Sequence, residues 1–278
     1  MKFQQSIIET IKTRTSSRTY DGRPVDSAAL QKLTDAISEI NASERVKGRF
    51  LLAQKNDTDP EKAQKLGTYG VIAGATSYLV GTADKSDQDP VTFGYLFETI
   101  VLYATELGIQ TCWLGGTFKK DDFEKSLRIP ENETIVMVSP LGYRKGKRRL
   151  FESAMRAVIS ADKRKAWNDL FFDADHTPLT EVLAGGYAVP LEMVRLGPSA
   201  SNKQPWRIIR DQDRFDFFLS RTKGYGITSF DMQMNDMGIA KCHFELSAKE
   251  LGLSGNWEKV DVKGYEDWEY AFSWVAEA

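Results

Sequence analysis

The sequence predicts an α+β fold made of two similar halves, residues 1–160 and 161–278, arranged around a pair of central helices. Two observations carry this expectation. First, a block of residues recurs at a fixed offset of 144: Gly94, Leu102, Ala104, Glu106, Leu107, Gly108 and Trp113 are matched without a gap by Gly238, Leu246, Ala248, Glu250, Leu251, Gly252 and Trp257. Second, apolar residues at helical spacing alternate with short β-branched runs in both halves. With 278 residues, 41% of them hydrophobic, and a formal charge of -2, the chain has material for one large core or two smaller ones.

The first helix is expected from Gln4 to Lys12, with Ile7, Ile8 and Ile11 on one side. Asp26 is a candidate N-cap for a second helix over 27–40, where Leu30, Leu33, Ala36, Ile37 and Ile40 share a face. A strand follows from Arg49 to Gln54, then a polar loop over 56–66 marked by Asn56-Asp57-Thr58-Asp59-Pro60. The apolar run from Val71 to Gly81 predicts a strand buried on both faces. From Phe93 to Leu107 apolar side chains surround most of a helix, which predicts burial nearly all round, and Gly108 ends it. Asp121 to Leu127 reads as a short helix stopped by Ile129-Pro130, and Glu133 to Tyr143 contains a strand.

In the second half an amphipathic stretch around Ala154–Val158 continues through Lys165–Phe172. Thr180–Leu183 and Leu191–Val194 lead to a loop, Gly197–Trp206, followed by strands at Arg207–Arg210 and Phe215–Leu219. Met234–Leu251 is the second central helix, and Trp257–Val262 and Trp268–Val275 are the closing strands.

Composition and motifs exclude several chemistries. No apolar run reaches the ~18 residues of a membrane span. Met1-Lys2-Phe3-Gln4-Gln5 leads into a polar helix and not into a signal peptide, so a cytoplasmic location is expected. Cys112 and Cys242 lack metal-ligand spacing and are expected to be reduced core thiols, and no metal is expected. His176 and His243 are the only histidines, and neither belongs to a nucleophile motif; there is no G-x-G-x-x-G or Walker loop. Arg144-Lys145-Gly146-Lys147-Arg148-Arg149 is strongly basic, but the chain is net acidic and the cluster has no interleaved aromatics, so neither a nucleic-acid nor a membrane partner is expected.

Three segments carry a functional signal. In the loop Gly197-Pro198-Ser199-Ala200-Ser201-Asn202-Lys203-Gln204-Pro205-Trp206, Gly and Pro restrict the backbone, Ser, Asn and Gln supply donors and acceptors, and Trp206 offers a flat apolar face. Near the N-terminus stands Arg14-Thr15-Ser16-Ser17-Arg18-Thr19-Tyr20, and after the first central helix Ile109-Gln110-Thr111-Cys112-Trp113-Leu114-Gly115-Gly116. Taken singly, a basic turn and a plain glycine turn account for the latter two.

Together they resemble the nitroreductase-like family of FMN oxidoreductases: P-S-x-x-N-x-Q-P-W is similar to its flavin-contacting loop, R-x-S-x-R-x-(F/Y) to its phosphate and pyrimidine clamp, and G-(L/I)-x-T-C-W-x-G to the segment passing the reactive ring edge. In an ordinary member the first two motifs lie a few tens of residues apart, whereas here they occupy residues 14–20 and 198–206. A second, weaker alignment at offset 158 sets Asn41–Arg49 against Ser199–Arg207, with Glu44, Val46 and Gly48 where the loop has Asn202, Gln204 and Trp206. Conversely, Arg164–Asp169 lacks the R-x-S-x-R spacing. Each half keeps what the other lacks. The resemblance therefore implies the tandem, pseudodimeric branch of the family, with the usual dimer interface made internal, one FMN between the halves and a monomer in solution.

By resemblance Arg14 and Ser16 would hold phosphate, with Thr15 beside them, and Arg18 would lie by N1 and the C2 carbonyl. Pro198, Ser199, Ala200, Ser201, Asn202 and Gln204 would border the ring, with Gly115 and Gly116 beside N5. Lys147 and Arg148 are the best candidates in the basic cluster for a further phosphate contact, though the sequence does not choose among its five cations. The implied activity is FMN-dependent oxidation of NADH or NADPH with ping-pong reduction of a small-molecule acceptor, a nitroaromatic or a quinone. The alternative is a flavin carrier or sensor without turnover.

Overall fold

The computed structural model of the chain describes residues 1–54, 66–146, 149–226, 229–265 and 267–277. Helix α1 (Ile7–Thr13) begins at Ser6, whose hydroxyl accepts from Glu9 N, and it buries Ile7 and Ile11. Helix α2 (Ser27–Ala42) is capped by Asp26 through Ala28 N and Ala29 N and buries Leu33, Ala36, Ile37 and Ile40, four of the five positions its periodicity selects. Strands β1 (Phe50–Gln54), β2 (Ser77–Asp84) and β3 (Glu133–Leu141) form an antiparallel sheet in the order β1-β2-β3. Leu79 of β2 stands between Leu52 and Ser139 in this register.

Only the second part of the predicted 71–81 strand lies in the sheet. Gly70 and Gly74, at φ 74° and 77°, turn the preceding chain out of extension, and a Cβ at Gly74 would overlap the Tyr20 carbonyl. Ala73 is thereby left to pair with the segment carrying Arg18, donating its N–H to the Arg18 carbonyl at 3.0 Å. Most of the predicted 56–66 loop lies outside the described residues.

Helices α3 (Pro90–Glu106), α4 (Lys120–Leu127) and α5 (Leu150–Val158) complete the first part of the chain. Beyond it, the 165–172 stretch is not a continuation of an amphipathic helix: a 3-10 turn at Trp167–Asp169 leads into strand β4 (Phe171–Asp173). Helices α6 (Glu181–Ala184) and α7 (Ala188–Leu196), strands β5 (Trp206–Asp211) and β6 (Arg214–Leu219), helix α8 (Met232–Glu250) and strands β7 (Gly255–Glu258) and β8 (Glu269–Ala276) follow. The second sheet has the order β4-β5-β6-β8-β7, with β4 parallel to β5 and the other pairs antiparallel. Along β6, Phe215 and Phe217 point to one face and meet Phe244 of α8 with ring centroids 5.5 and 5.3 Å apart.

The centre of the molecule is the crossing of α3 and α8. A Cβ at Gly238 would overlap the Val91 carbonyl, and one at Gly94 would overlap that of Asn235, so the two glycines let the backbones touch. α8 serves two cores: Met237, Ala240, Phe244 and Ala248 pack with the second sheet, while Met232 and Cys242 belong to the core around α3. Both cysteines are free and buried, as expected. Among the described residues no helix is long and apolar enough to cross a membrane.

Candidate functional site

Residues 14–20 follow α1 as a non-helical segment held by two neighbours: Ser17 N donates to Thr111 O at 2.9 Å, and Tyr20 N to Ala73 O at 2.8 Å. The Tyr20 hydroxyl donates back to Ser17 O at 2.7 Å, closing the segment on itself. Arg14, Thr15, Ser16 and Arg18 then line one wall of a cavity of about 750 Å³, within the usual range for small-molecule sites.

The other walls come from distant parts of the chain. Trp113, Leu114, Gly115 and Gly116 pass on one side, where a Cβ on Gly115 would overlap the Met232 side chain. Pro198, Ser199, Ala200, Ser201 and Asn202 line another side, together with Met232, Asp236 and Ile239 of α8. The cavity thus draws together the three segments singled out in the sequence.

Inside the 198–206 loop the polar side chains do different work from that expected. Ser201, Asn202 and Gln204 all have positive φ, a conformation that costs free energy in non-glycine residues and is held here by hydrogen bonds. Gln204 does not line the cavity: it is buried, its Oε1 accepts from Lys165 N at 2.8 Å, and its Nε2 donates to Asn202. Asn202 reaches the cavity wall, yet its Nδ2 donates to Ser160 O at 2.7 Å and Lys163 O at 2.9 Å, and its Oδ1 accepts from Arg164. These amides clamp the loop to the 160–165 segment. Trp206 is fully buried in the second core and presents no face to the cavity.

The basic cluster is described only in part. Lys147 and Arg148 lie outside the described residues, and Arg144, Lys145 and Arg149 do not line the cavity. Arg149 instead donates to the Gly70 and Val71 carbonyls, at 3.3 and 3.0 Å. Further cations on the cavity come from Lys12, Arg156 and Arg164. Arg156 escaped detection because α5 is turned against its own amphipathicity. Its polar pair Glu152 and Arg156, four residues apart on one face, is buried, while Leu150 and Val158 face outward.

The electrostatics favour an anion. Among the described residues, Nε and Nη1 of Arg14, Nε and Nη1 of Arg18, Nε of Arg156 and Nε of Arg164 are buried without a hydrogen-bond partner. Buried, unsatisfied donors of this kind are costly, and an anionic ligand would offset that cost. Burial pushes the Arg14 guanidinium down from its ordinary value, with Glu98 opposing, and burial lowers Arg164 to about 10; both stay protonated at neutral pH. A phosphate-bearing, planar ligand matches these unsatisfied cations, the apolar walls of Trp113, Met137 and Ile239, and the close backbone approach at Gly115.

Beneath Arg14 lies a group that sequence reasoning missed, an acid in the middle of the mostly apolar α3. The Glu98 carboxylate, fully buried on α3, accepts from Trp113 Nε1 at 2.8 Å, meets His243 Nε2 of α8 at 2.9 Å and lies 3.9 Å from Arg14 Nε. His243 Nδ1 faces the Met193 carbonyl at 2.8 Å, which can only accept, so Nδ1 carries a proton. One further proton is then shared between His243 Nε2 and Glu98. This cluster ties Arg14, the Trp113–Gly116 segment and the end of α7 to both central helices.

This architecture is the α+β fold of nitroreductase-like proteins. Along nearly its whole length it parallels the crystal structure of a "putative nitroreductase" from Thermotoga maritima, with a TM-score of 0.60 and 19% identity over 99% of this chain and 95% of that one. The model of the family described as "Putative TM nitroreductase" matches residues 6–248, and the chain belongs to that family. Two proteins named "Putative NADH dehydrogenase/NAD(P)H nitroreductase" are similar to it. That of Archaeoglobus fulgidus is 27% identical over 59% of this chain and 99% of its own length. That of Methanothermobacter thermautotrophicus is 26% identical over 54% of this chain and 84% of its own length.

Proposed function

We propose that the protein is an FMN-dependent NAD(P)H oxidoreductase that takes two electrons from NADH or NADPH and passes them, in a ping-pong cycle, to a small nitroaromatic or quinone acceptor. The observation that carries this reading is the cavity itself, where unsatisfied guanidinium groups meet a glycine edge and apolar walls in a chain of the nitroreductase family. In this reading Arg14 and Ser16 hold the phosphate, with Arg156 on the same wall, while Arg18 lies at the pyrimidine side. Ser199 to Asn202 and the backbone at Gly115 and Gly116 border the ring. FMN, when bound, supplies the hydride and electron transfer. The protein's share is position and charge: a fixed cation at Arg18 favours negative charge accumulating nearby on reduction.

We also read the chain as a pseudodimer of two homologous halves, 1–160 and 161–278, acting as a cytoplasmic monomer with one FMN between the halves. The repeat at offset 144 supports this, as does the fact that 59% of this chain accounts for 99% of the Archaeoglobus relative, while the Thermotoga structure runs along 99% of it. The absorption spectrum of the purified protein, followed by anaerobic titration with each nucleotide, tests the activity. A bound flavin that neither NADH nor NADPH reduces would turn the reading to a carrier or sensor. Mixing Arg14→Ala protein with Asn202→Ala protein tests the internal site: recovery of flavin binding on mixing would mean that the site forms between chains.

A further inference from the structure

We infer that Asp236 is the acid that protonates the acceptor as it receives hydride, an inference that rests on the oxidoreductase reading above. Met232, Asp236 and Ile239 lie at positions i, i+4 and i+7 of α8, and this one face of the helix lines the cavity. Met232 reaches Gly115, on the segment read as the reactive ring edge. One turn on, about 6 Å along the axis, Asp236 accepts from the backbone N–H of Ala200 at 3.0 Å, on the loop read as bordering the ring from the other side. Asp236 therefore stands on the cavity wall against the Ala200 loop, one turn from the residue that meets Gly115.

Its surroundings favour the neutral form. Only 2% of the residue is exposed, and among the described residues the one hydrogen bond its carboxyl makes is that from Ala200 N. Burial pushes the Asp236 carboxyl well above the usual carboxylate range; Ala200 N–H opposes this, and Asp231, the N-cap of the same helix, and Glu98 of α3 add to it. A neutral carboxyl has an O–H to donate, and the cavity is where an acceptor oxygen would meet it.

Reduction of a quinone to the hydroquinone consumes one hydride and one proton. The hydride, supplied by the reduced flavin, adds to one quinone oxygen. The Asp236 O–H bond breaks as its proton passes to the other oxygen, leaving the carboxylate, which water reprotonates after product leaves. An acid with a raised pKa is suited to this step, and general-acid catalysis contributes on the order of a hundredfold or more.

Asp236→Asn keeps an acceptor for Ala200 N–H and removes the acid. Stopped-flow oxidation of the reduced protein by benzoquinone is compared with oxidation by ferricyanide, a one-electron acceptor that needs no proton. The expected result is a fall in the quinone-to-ferricyanide rate ratio on the order of a hundredfold. The infrared carbonyl stretch of a neutral carboxyl should also be present in flavin-free wild-type protein at neutral pH and missing from the variant. An unchanged ratio, or no such band in the wild type, overturns the inference. If the variant does not fold, the wild type still decides: its quinone rate should fall as pH rises through the Asp236 titration while the ferricyanide rate stays level, the charged groups acting on Asp236 being Asp231 and Glu98. Two level profiles overturn the inference. A wild-type flavin reduced by neither nucleotide and discharged by neither acceptor would instead overturn the oxidoreductase reading on which it stands.

Discussion

The two central helices contain the same device in two settings. Trp113, just beyond α3, donates its indole N–H to Glu98 at 2.8 Å; its repeat partner Trp257, just beyond α8, donates to Glu245 at 2.7 Å. Glu98 is fully buried, shares a proton with His243 and faces Arg14, whereas Glu245 is partly exposed and pairs with the surface residue Lys249. The repeated glutamates at the helix ends behave alike: Glu106 accepts from Gln4 N and Glu250 from Ile7 N, so both hold the amino-terminal segment. The offset of 144 pairs the tryptophans but not their acids, since Cys242 stands opposite Glu98 and Val101 opposite Glu245, so each helix supplies its carboxylate at its own position and the surroundings decide whether it is a surface partner or a buried group beside a site.

The largest expected effect breaks the buried member of the comparison. Glu98→Ala leaves Trp113 Nε1 and His243 Nε2 without an acceptor and Arg14 without its nearby charge, and should cost about 3–5 kcal/mol in chemical denaturation. Next comes the crossing that both helices share: Gly238→Ala forces a methyl onto the Val91 carbonyl and should cost about 2–3 kcal/mol, because backbone cannot step aside as a flexible side chain would. Arg14→Gln removes the cation above Glu98 and should weaken FMN binding by about 1.5–3 kcal/mol while leaving riboflavin affinity nearly unchanged, measured by titrating flavin-free protein. Equal losses for both ligands would remove Arg14 from the phosphate. On the second helix, Glu245→Ala should cost only about 1 kcal/mol, since Trp257 and Lys249 keep access to water.

A different kind of effect is a slope. Because the Asp236 carboxyl is raised in the folded state, the fold retains a proton that the unfolded chain releases above the ordinary carboxylate value of about 4. Stability therefore falls as pH rises through that window toward the folded-state value. Asp236→Asn should flatten the fall, and urea midpoints across pH would show it. A variant with the wild-type slope would mean that another buried group sets it.

Elements with one buried face were legible from sequence alone, because apolar periodicity reports which side meets the core: α2 buries Leu33, Ala36, Ile37 and Ile40, and α3 is apolar nearly all round. The motifs at 14–18 and 115–116 likewise marked residues that line the cavity. Several site features could not be read this way, because they depend on contacts between segments far apart in the chain. Helix α5 presents its polar face inward because Arg156 bonds the Ser16 carbonyl and Glu152 meets Thr19, partners about 130 to 140 positions away that no local period encodes. Gln204 turns from the cavity because Lys165 N offers it a buried partner, and Glu98 becomes a buried charge only when α8 brings His243 against it. The sequence by itself marked the two central helices and several residues of the cavity, Arg14, Ser16, Arg18, Gly115 and Gly116 among them. The tertiary structure decided which of the candidate residues face the cavity, because a buried polar group points to whichever partner the packing supplies.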